Sequence, residues 1–188
     1  MVPLLRLLPQ PHPPQAAPDE LCLAAFQEQL DYVWRTLRRF GTPPSEVEDL
    51  AQEVFLALRR AWPEYDPERP LRPYLFGIAF RIASAHQRKR KREIVSSAIE
   101  MGDSGPGPED NLQAKEARVV VLAALERIPL PRRAVLVMHD LDGVPVHEVA
   151  STLSIPRFTV YSRLRKARKE LESALRRSLK EFKETAAR

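Results

Sequence analysis

The chain has 188 residues, with 30 Lys plus Arg against 25 Asp plus Glu, a net charge of +5 and a hydrophobic fraction of 44%; this suits one or two small globular domains and excludes a large multidomain enzyme or a wholly disordered chain. The single Cys22 excludes an intramolecular disulfide and a multi-cysteine zinc site, as expected in a reducing compartment. No apolar run approaches the roughly 18 residues of a membrane span, and the opening MVPLLRLLPQPHPPQ is too short and too proline-broken for a signal peptide, so a soluble, cytoplasmic protein is expected.

Residues 1–18 hold six of the 18 prolines, which forbids helix and leaves few backbone donors for a sheet, so a disordered tail is expected. From Asp19, a candidate N-cap, Leu23, Phe26, Leu30, Val33, Leu37 and Phe40 recur at three- and four-residue steps, and Gly41 stands where a helix ends. A second helix opens after Pro43-Pro44 on the capping-box pattern Ser45 to Glu48 and runs to about Trp62. Val47, Leu50, Ala51, Val54, Phe55, Leu58, Ala61 and Trp62 form its inner stripe. Its outer side carries Asp49, Gln52, Glu53 and Leu56, an acidic row with a leucine among it. On its own such a row reads as a solvated face.

A proline-rich loop, Pro63 to Pro73, leads to a third helix in which Leu71, Leu75, Ile78 and Ile82 keep helical spacing to about Arg92. It ends in five consecutive cations, Arg88 to Arg92. Cations suit the negative end of a helix dipole, but five in a row repel one another and point to a polyanion that would relieve the repulsion. From Glu93 to Gln113 there are five acids, no base and three of the six glycines, a linker that divides the chain into two domains.

The second half is expected to hold a helix from Ala117 to Ile128, another opened by Pro131 at its first position and stopped by Gly143, and two short helices beyond. Without strand patterns or repeats, the fold class is all-α: two small helical domains joined by a flexible acidic linker. The domains are expected at 19–93 and 113–178, the linker at 94–112 and a C-terminal tail at 179–188. The stretch from Leu141 to Leu164 has the logic of a helix-turn-helix. Val146, Val149, Ala150 and Leu153 line the inside of its first helix, Ser154-Ile155 turns, and Pro156 opens the second. Val160 and Leu164 anchor that helix, leaving Arg157, Phe158, Thr159, Tyr161, Ser162, Arg163 and Lys166 to project. Arg157 to Lys169 contains six basic residues and no acidic one, which suits a phosphate-walled groove.

Catalysis finds little support. His139, Asp140, Asp142, His147 and Glu148 cluster around Gly143, but a zinc-protease helix would need a histidine where Ser151 stands. Glycine-rich phosphate loops and nucleophile elbows are missing too, and Cys22 has no evident base. No catalytic residue, metal site or cofactor is expected.

Three groups of residues resemble the bacterial extracytoplasmic-function (ECF) sigma factors, the small two-domain promoter-recognition subunits of RNA polymerase. The first is Glu48-Asp49-Leu50-Ala51-Gln52-Glu53-Val54-Phe55, similar to region 2.2. The second is Arg72-Pro73-Tyr74-Leu75-Phe76-Gly77-Ile78-Ala79 with the basic run after it, similar to regions 2.3 and 2.4. The third is Ile128-Pro129, Arg132-Arg133, Gly143, Glu148-Val149-Ala150 and Thr159 to Arg168, similar to region 4. The resemblance covers about residues 22–92 and 113–175.

The resemblance implies that Asp49, Gln52, Glu53 and Leu56 dock on core RNA polymerase. It implies that Tyr74, Arg81, Arg88, Lys89 and Arg90 handle the minus-10 promoter element, where flipped bases call for aromatic stacking and backbone cations. Arg157, Thr159, Ser162, Arg163 and Lys166 would read the minus-35 element. Core polymerase, promoter DNA and an anti-sigma factor are the implied partners, and the expected role is a non-enzymatic one in transcription initiation. The alternatives are a helix-turn-helix regulator independent of core polymerase and a nucleic-acid enzyme. This chain departs from the family pattern at Tyr74, where Trp is usual, at Arg81, where Asn is common, and at Ala85, where Asp is frequent. Ser154 replaces the usual turn glycine, and Phe158 stands where a small residue is common.

Overall fold

The computed structural model describes residues 18–96 and 112–186. The proline-rich stretch up to residue 17 and residues 97–111 of the expected linker lie outside them. The described residues form helices α1 (Pro18–Arg39), α2 (Pro44–Ala61), α3 (Leu71–Ser96), α4 (Leu112–Glu126), α5 (Leu130–Leu136), α6 (Val146–Thr152) and α7 (Arg157–Ala186). A 3-10 turn, Trp62–Glu64, follows α2, and a π-helical turn, Val137–Leu141, follows α5. Among the described residues there is no strand.

In the first half α1, α2 and α3 pack on one another. Phe40 sets its ring edge-on to Phe76 at 5.1 Å and to Phe80 at 6.1 Å, and Phe26 meets Phe55 at 5.1 Å. The buried row of α1 is Cys22, Phe26, Val33, Leu37 and Phe40, joined by Tyr32 and Thr36. Leu23 and Leu30, expected on that row, are exposed instead, because α2 and α3 cover a face rotated towards Cys22 and Tyr32. The inner stripe of α2 is as expected, with Val47, Leu50, Ala51, Val54 and Leu58 buried.

Neither expected N-terminal cap forms. Asp19 lies inside α1 and takes the guanidinium of Arg59, with Nε and Nη2 donating at 2.9 and 2.6 Å. The α2 helix begins at Pro44, after Pro43 and without a side-chain cap. A proline in the first turn needs no amide partner and already has helical φ, so the Ser45 box is not required. The end of α1 follows the sequence: Gly41 has φ +82°, and Thr42 N donates to Leu37 O while Gly41 N donates to Arg38 O, the Schellman pairing.

In the second half α5 and α7 pack together, α4 lies along α7, and α6 crosses α7. The expected Ala117–Ile128 helix runs from Leu112 to Glu126, and Ile128-Pro129 instead forms the turn into α5. Pro131 is its second residue, after Leu130. The helix expected to stop at Gly143 passes through the π turn, in which Asp142 N donates to Val137 O, before Gly143 reverses the chain at φ +72°. The last helix is not short. It spans 30 residues, since Leu171, Ala174 and Ser178 continue the inner row of Val160, Leu164 and Ala167 and no helix breaker follows Pro156.

Among the described residues the two halves touch along α1, α3 and the elements of the second half that face them. Buried residues of both belong to one continuous cluster. Asp142 accepts from Tyr32 Oη at 2.9 Å and from Arg39 Nη1 at 2.8 Å, joining α1 to the turn before α6. Arg133 is buried, and its guanidinium donates to Glu126 O at 2.6 Å, to Ile128 O at 2.9 Å and to Arg39 O at 3.4 Å. One side chain thereby closes the carbonyl ends of α4 and α1. Burial pulls Arg133 down to about 10, so it still carries its proton at neutral pH. The α3 helix meets α6 at Gly77, where an added Cβ would stand 3.3 Å from Thr152.

Candidate nucleic-acid interface

The turn between α6 and α7 decides how the last helix is presented. Leu153 N and Ile155 N return to Val149 O and Ala150 O, and Ser154 takes φ +52° in the left-handed region. Glycine occupies that conformation without cost and serine does not. Val149, Ala150, Leu153, Val160 and Leu164 are buried, so the helix-turn-helix core is the one its spacing predicts.

With that side inward, the outward side of α7 is basic. Arg157, Arg165, Lys166 and Lys169 are exposed. Thr159, Ser162 and Arg163 are half-buried, and Ser162 Oγ donates to Thr159 O at 3.1 Å. Arg163 lies on the flank of the buried row, whereas Arg165, absent from the expected readers, faces outward. The helical period of 3.6 explains this: Arg163 precedes the buried Leu164 by one residue, and Arg165 falls seven beyond the outward Phe158. Arg168 is committed to structure, since its Nε and Nη2 donate to Asp140 at 2.8 and 2.7 Å. That partner holds the Asp140 carboxyl below the ordinary carboxylate range.

The second surface lies on α3 and the loop before it. The Trp62 ring stacks on Tyr65 at 5.2 Å, and Tyr65 meets the Tyr74 ring at 5.2 Å, a short chain of aromatic faces. Tyr74, Arg81, Arg88 and Arg92 follow at steps of seven, seven and four residues and so share one side of α3. Lys89 is exposed beside that side; Arg90 is half-buried and turned away from it. Tyr74 and Arg81, with Gly77, form one wall of a cleft of about 330 Å³, whose other wall is Glu148, Ser151 and Thr152 of α6.

The third surface is the outer row of α2. Asp49, Gln52, Glu53 and Leu56 are all exposed, as the spacing predicts. The acidic cluster around Gly143 has other work: Asp142 bridges the halves, Asp140 holds Arg168, and His139 Nδ1 lies 2.8 Å from Val144 O. The Cys22 thiol is buried, and burial pushes its ionisation up, which disfavours a nucleophilic thiolate. Among the described residues no three His, Cys, Asp or Glu side chains group as metal ligands, and no helix is long and apolar enough to cross a membrane.

Residues 25–93 match the family model of Sigma-70 region 2, and residues 118–171 match that of Sigma-70 region 4. The chain is 31% identical to the ECF RNA polymerase sigma factor SigL of Mycobacterium tuberculosis over 165 residues, which cover 85% of this chain and 92% of the relative. It is 29% identical to the RNA polymerase sigma factor CnrH of Cupriavidus metallidurans over 148 residues, 73% and 78% of the two chains. Among solved structures it is similar in fold to the sigma factor RpoE of Bartonella quintana in complex with the anti-sigma factor NepR. That match has a TM-score of 0.62 at 23% identity and covers 81% of this chain and 97% of the other. CnrH in complex with the cytosolic domain of CnrY gives 0.54 at 22%, covering 85% and 97%. Both promoter-recognition regions occur in order on one chain, and the chain belongs to the ECF RNA polymerase sigma factors, which initiate transcription with core RNA polymerase.

Proposed function

We propose a division of labour among the three surfaces. The acidic row Asp49, Gln52 and Glu53, with Leu56, docks core polymerase. Tyr74, Arg81, Arg88 and Lys89 hold the opened minus-10 strand, with the aromatic chain from Trp62 to Tyr74 as stacking platform and the cations against phosphates; Arg90, on the other side of α3, is left out of this grip. Arg157, Thr159, Ser162, Arg163 and Lys166 engage the minus-35 element, and Arg165 joins them. The observation that carries this reading is the partition of charge on exposed helix faces: acidic on α2, basic on α3 and α7. A DNA-repelling row beside two DNA-attracting ones is what a subunit needs that must grip a protein and a duplex together.

The chain supplies binding and positioning, and the polymerase does the chemistry. Its place of action is the cytoplasm, where the polymerase works. An anti-sigma partner is proposed on the ground that two similar solved structures are sigma factors held by proteins of that kind or by a cytosolic domain.

The test is run-off transcription and core pull-down with the full chain. Asp49→Lys plus Glu53→Lys should abolish capture of core enzyme and promoter-specific transcripts while leaving the fold intact, since both residues are exposed. Undiminished capture would overturn the docking assignment and favour a regulator independent of core polymerase. Arg163→Ala and Lys166→Ala should weaken minus-35 binding, and a lost phosphate contact should also flatten its salt dependence.

A further inference from the structure

The residues proposed for the minus-35 element are polar or basic, yet the two most exposed large hydrophobic side chains among the described residues stand among them. Phe158 is 75% exposed and Tyr161 62%. They lie three residues apart in the first two turns of α7, where helical side chains are neighbours. Val160 and Leu164 bury the other side of the helix, so neither ring can turn inward without unseating the helix-turn-helix core. Arg157 and Arg165 flank them, both exposed.

An apolar pair ringed by cations, at the start of the second helix of a helix-turn-helix, is placed where such helices approach base edges in the major groove. Phosphates and most base-edge atoms offer nothing to a phenyl ring. The apolar group on a base edge in that groove is the C5-methyl of thymine. We infer that Phe158 and Tyr161 make this helix a thymine reader: Phe158 packs on the methyl of a minus-35 thymine, and Tyr161 extends the apolar contact while its hydroxyl reaches the adjacent phosphate. This rests on the reading of α7 as the minus-35 helix. Cytosine, which lacks the methyl, is rejected because the ring then stays partly hydrated and the amino group meets no acceptor. The bulk of Phe158, unusual at this position, thereby becomes a determinant of which promoters this chain selects.

The experiment uses holoenzyme reconstituted with core polymerase and a promoter fragment recovered by mapping the sites it binds. Each minus-35 thymine is replaced in turn by deoxyuridine, which deletes the methyl and leaves the hydrogen-bonding edge unchanged. At one or two positions binding should fall about fourfold per methyl lost. Phe158→Ala holoenzyme should bind the thymine fragment with a similar loss and should no longer distinguish it from the uridine fragment, the non-additivity expected of a direct contact. Phe158→Leu should retain most of the discrimination. Arg165→Ala should weaken both fragments alike. If no position responds to uridine, or Phe158→Ala keeps the full uridine penalty, the thymine contact is overturned while the minus-35 assignment stands. If scrambling the whole minus-35 element leaves binding unchanged, the assignment of α7 falls and the contact with it.

Discussion

The two surfaces proposed to face DNA are presented in opposite ways. The outward face of α7 is open along Arg157, Phe158, Tyr161 and Arg165. The face of α3 that carries Tyr74 and Arg81 looks across a cleft at Glu148, Ser151 and Thr152 of α6. The same helix-turn-helix that leaves the basic face of its second helix open therefore uses its first helix to cover the other basic surface. Charge alone does not reveal this, since both stretches are equally basic in sequence. The difference comes from small residues: Gly77 lets Thr152 approach to a distance a Cβ would crowd, and Ala150 is small enough to be buried beneath α7.

The largest way to break the comparison is to remove Arg133, whose one guanidinium ends α4 and reaches across to Arg39 O. Arg133→Ala leaves buried carbonyls without donors and should cost about 3 kcal/mol. Arg133→Lys should recover only part, because an ammonium cannot fork between Glu126 O and Ile128 O. Denaturant melts check both. A loss within a few tenths of a kcal/mol would mean that water replaces the fork and that the halves are joined elsewhere.

Asp142 tests the covering itself. It accepts from Tyr32 and Arg39 with its side chain only 12% exposed, so Asp142→Ala should cost about 2 kcal/mol. It should also let the halves separate, which small-angle scattering would register as a larger radius of gyration, and should ease binding of minus-10 single strand relative to minus-35 duplex. Equal gains at both elements, or none, would sever the link between the bridge and the cleft. The bridge also has a pH signature. Burial first, then the Asp142 charge, raises the Tyr32 phenol above its ordinary value. The unfolded chain ionises this group from about pH 10 while the folded chain keeps its proton. Its contribution is therefore complete below pH 10 and declines as pH rises beyond. Tyr32→Phe should remove that alkaline decline at a cost near 1 kcal/mol at neutral pH.

What was legible in the sequence is what periodicity writes. The α2 stripe, the buried Val149, Ala150, Leu153, Val160 and Leu164, and the exposed acidic row lie where their spacing puts them. The misplacements on α1 have one origin: Leu23 and Leu30 satisfy a helical period as well as Cys22 and Tyr32 do, and only the position of the neighbouring helices decides between the two stripes. Asp19 and Ser45 carry cap patterns that form no cap, because a proline can open a helix unaided and a carboxylate prefers a guanidinium within reach. The contacts between the halves had no local signal at all. Tyr32 and Asp142 are 110 residues apart, and nothing in either neighbourhood announces the other.

Ser154 is the smallest test, and it bears on the open side of the comparison. Its departure from the usual turn glycine predicts strain if the turn needs a positive φ, and the residue stands at +52°. Its amide bonds to Ser151 O, and the next amide to Ala150 O, so the conformation is imposed by the turn and not chosen by serine. Ser154→Gly should remove a left-handed penalty of about 1–2 kcal/mol and return part of it as backbone entropy, for a net gain of about 0.5 kcal/mol. Ser154→Val should lose about 1–2 kcal/mol, since a branched side chain is least tolerant there. The glycine variant should leave the thymine preference proposed for α7 unchanged, because the hydrogen bonds that fix the turn are main-chain. If it altered promoter choice without altering stability, the serine hydroxyl would have to be a contact to DNA, and the turn itself would belong to the open reading face.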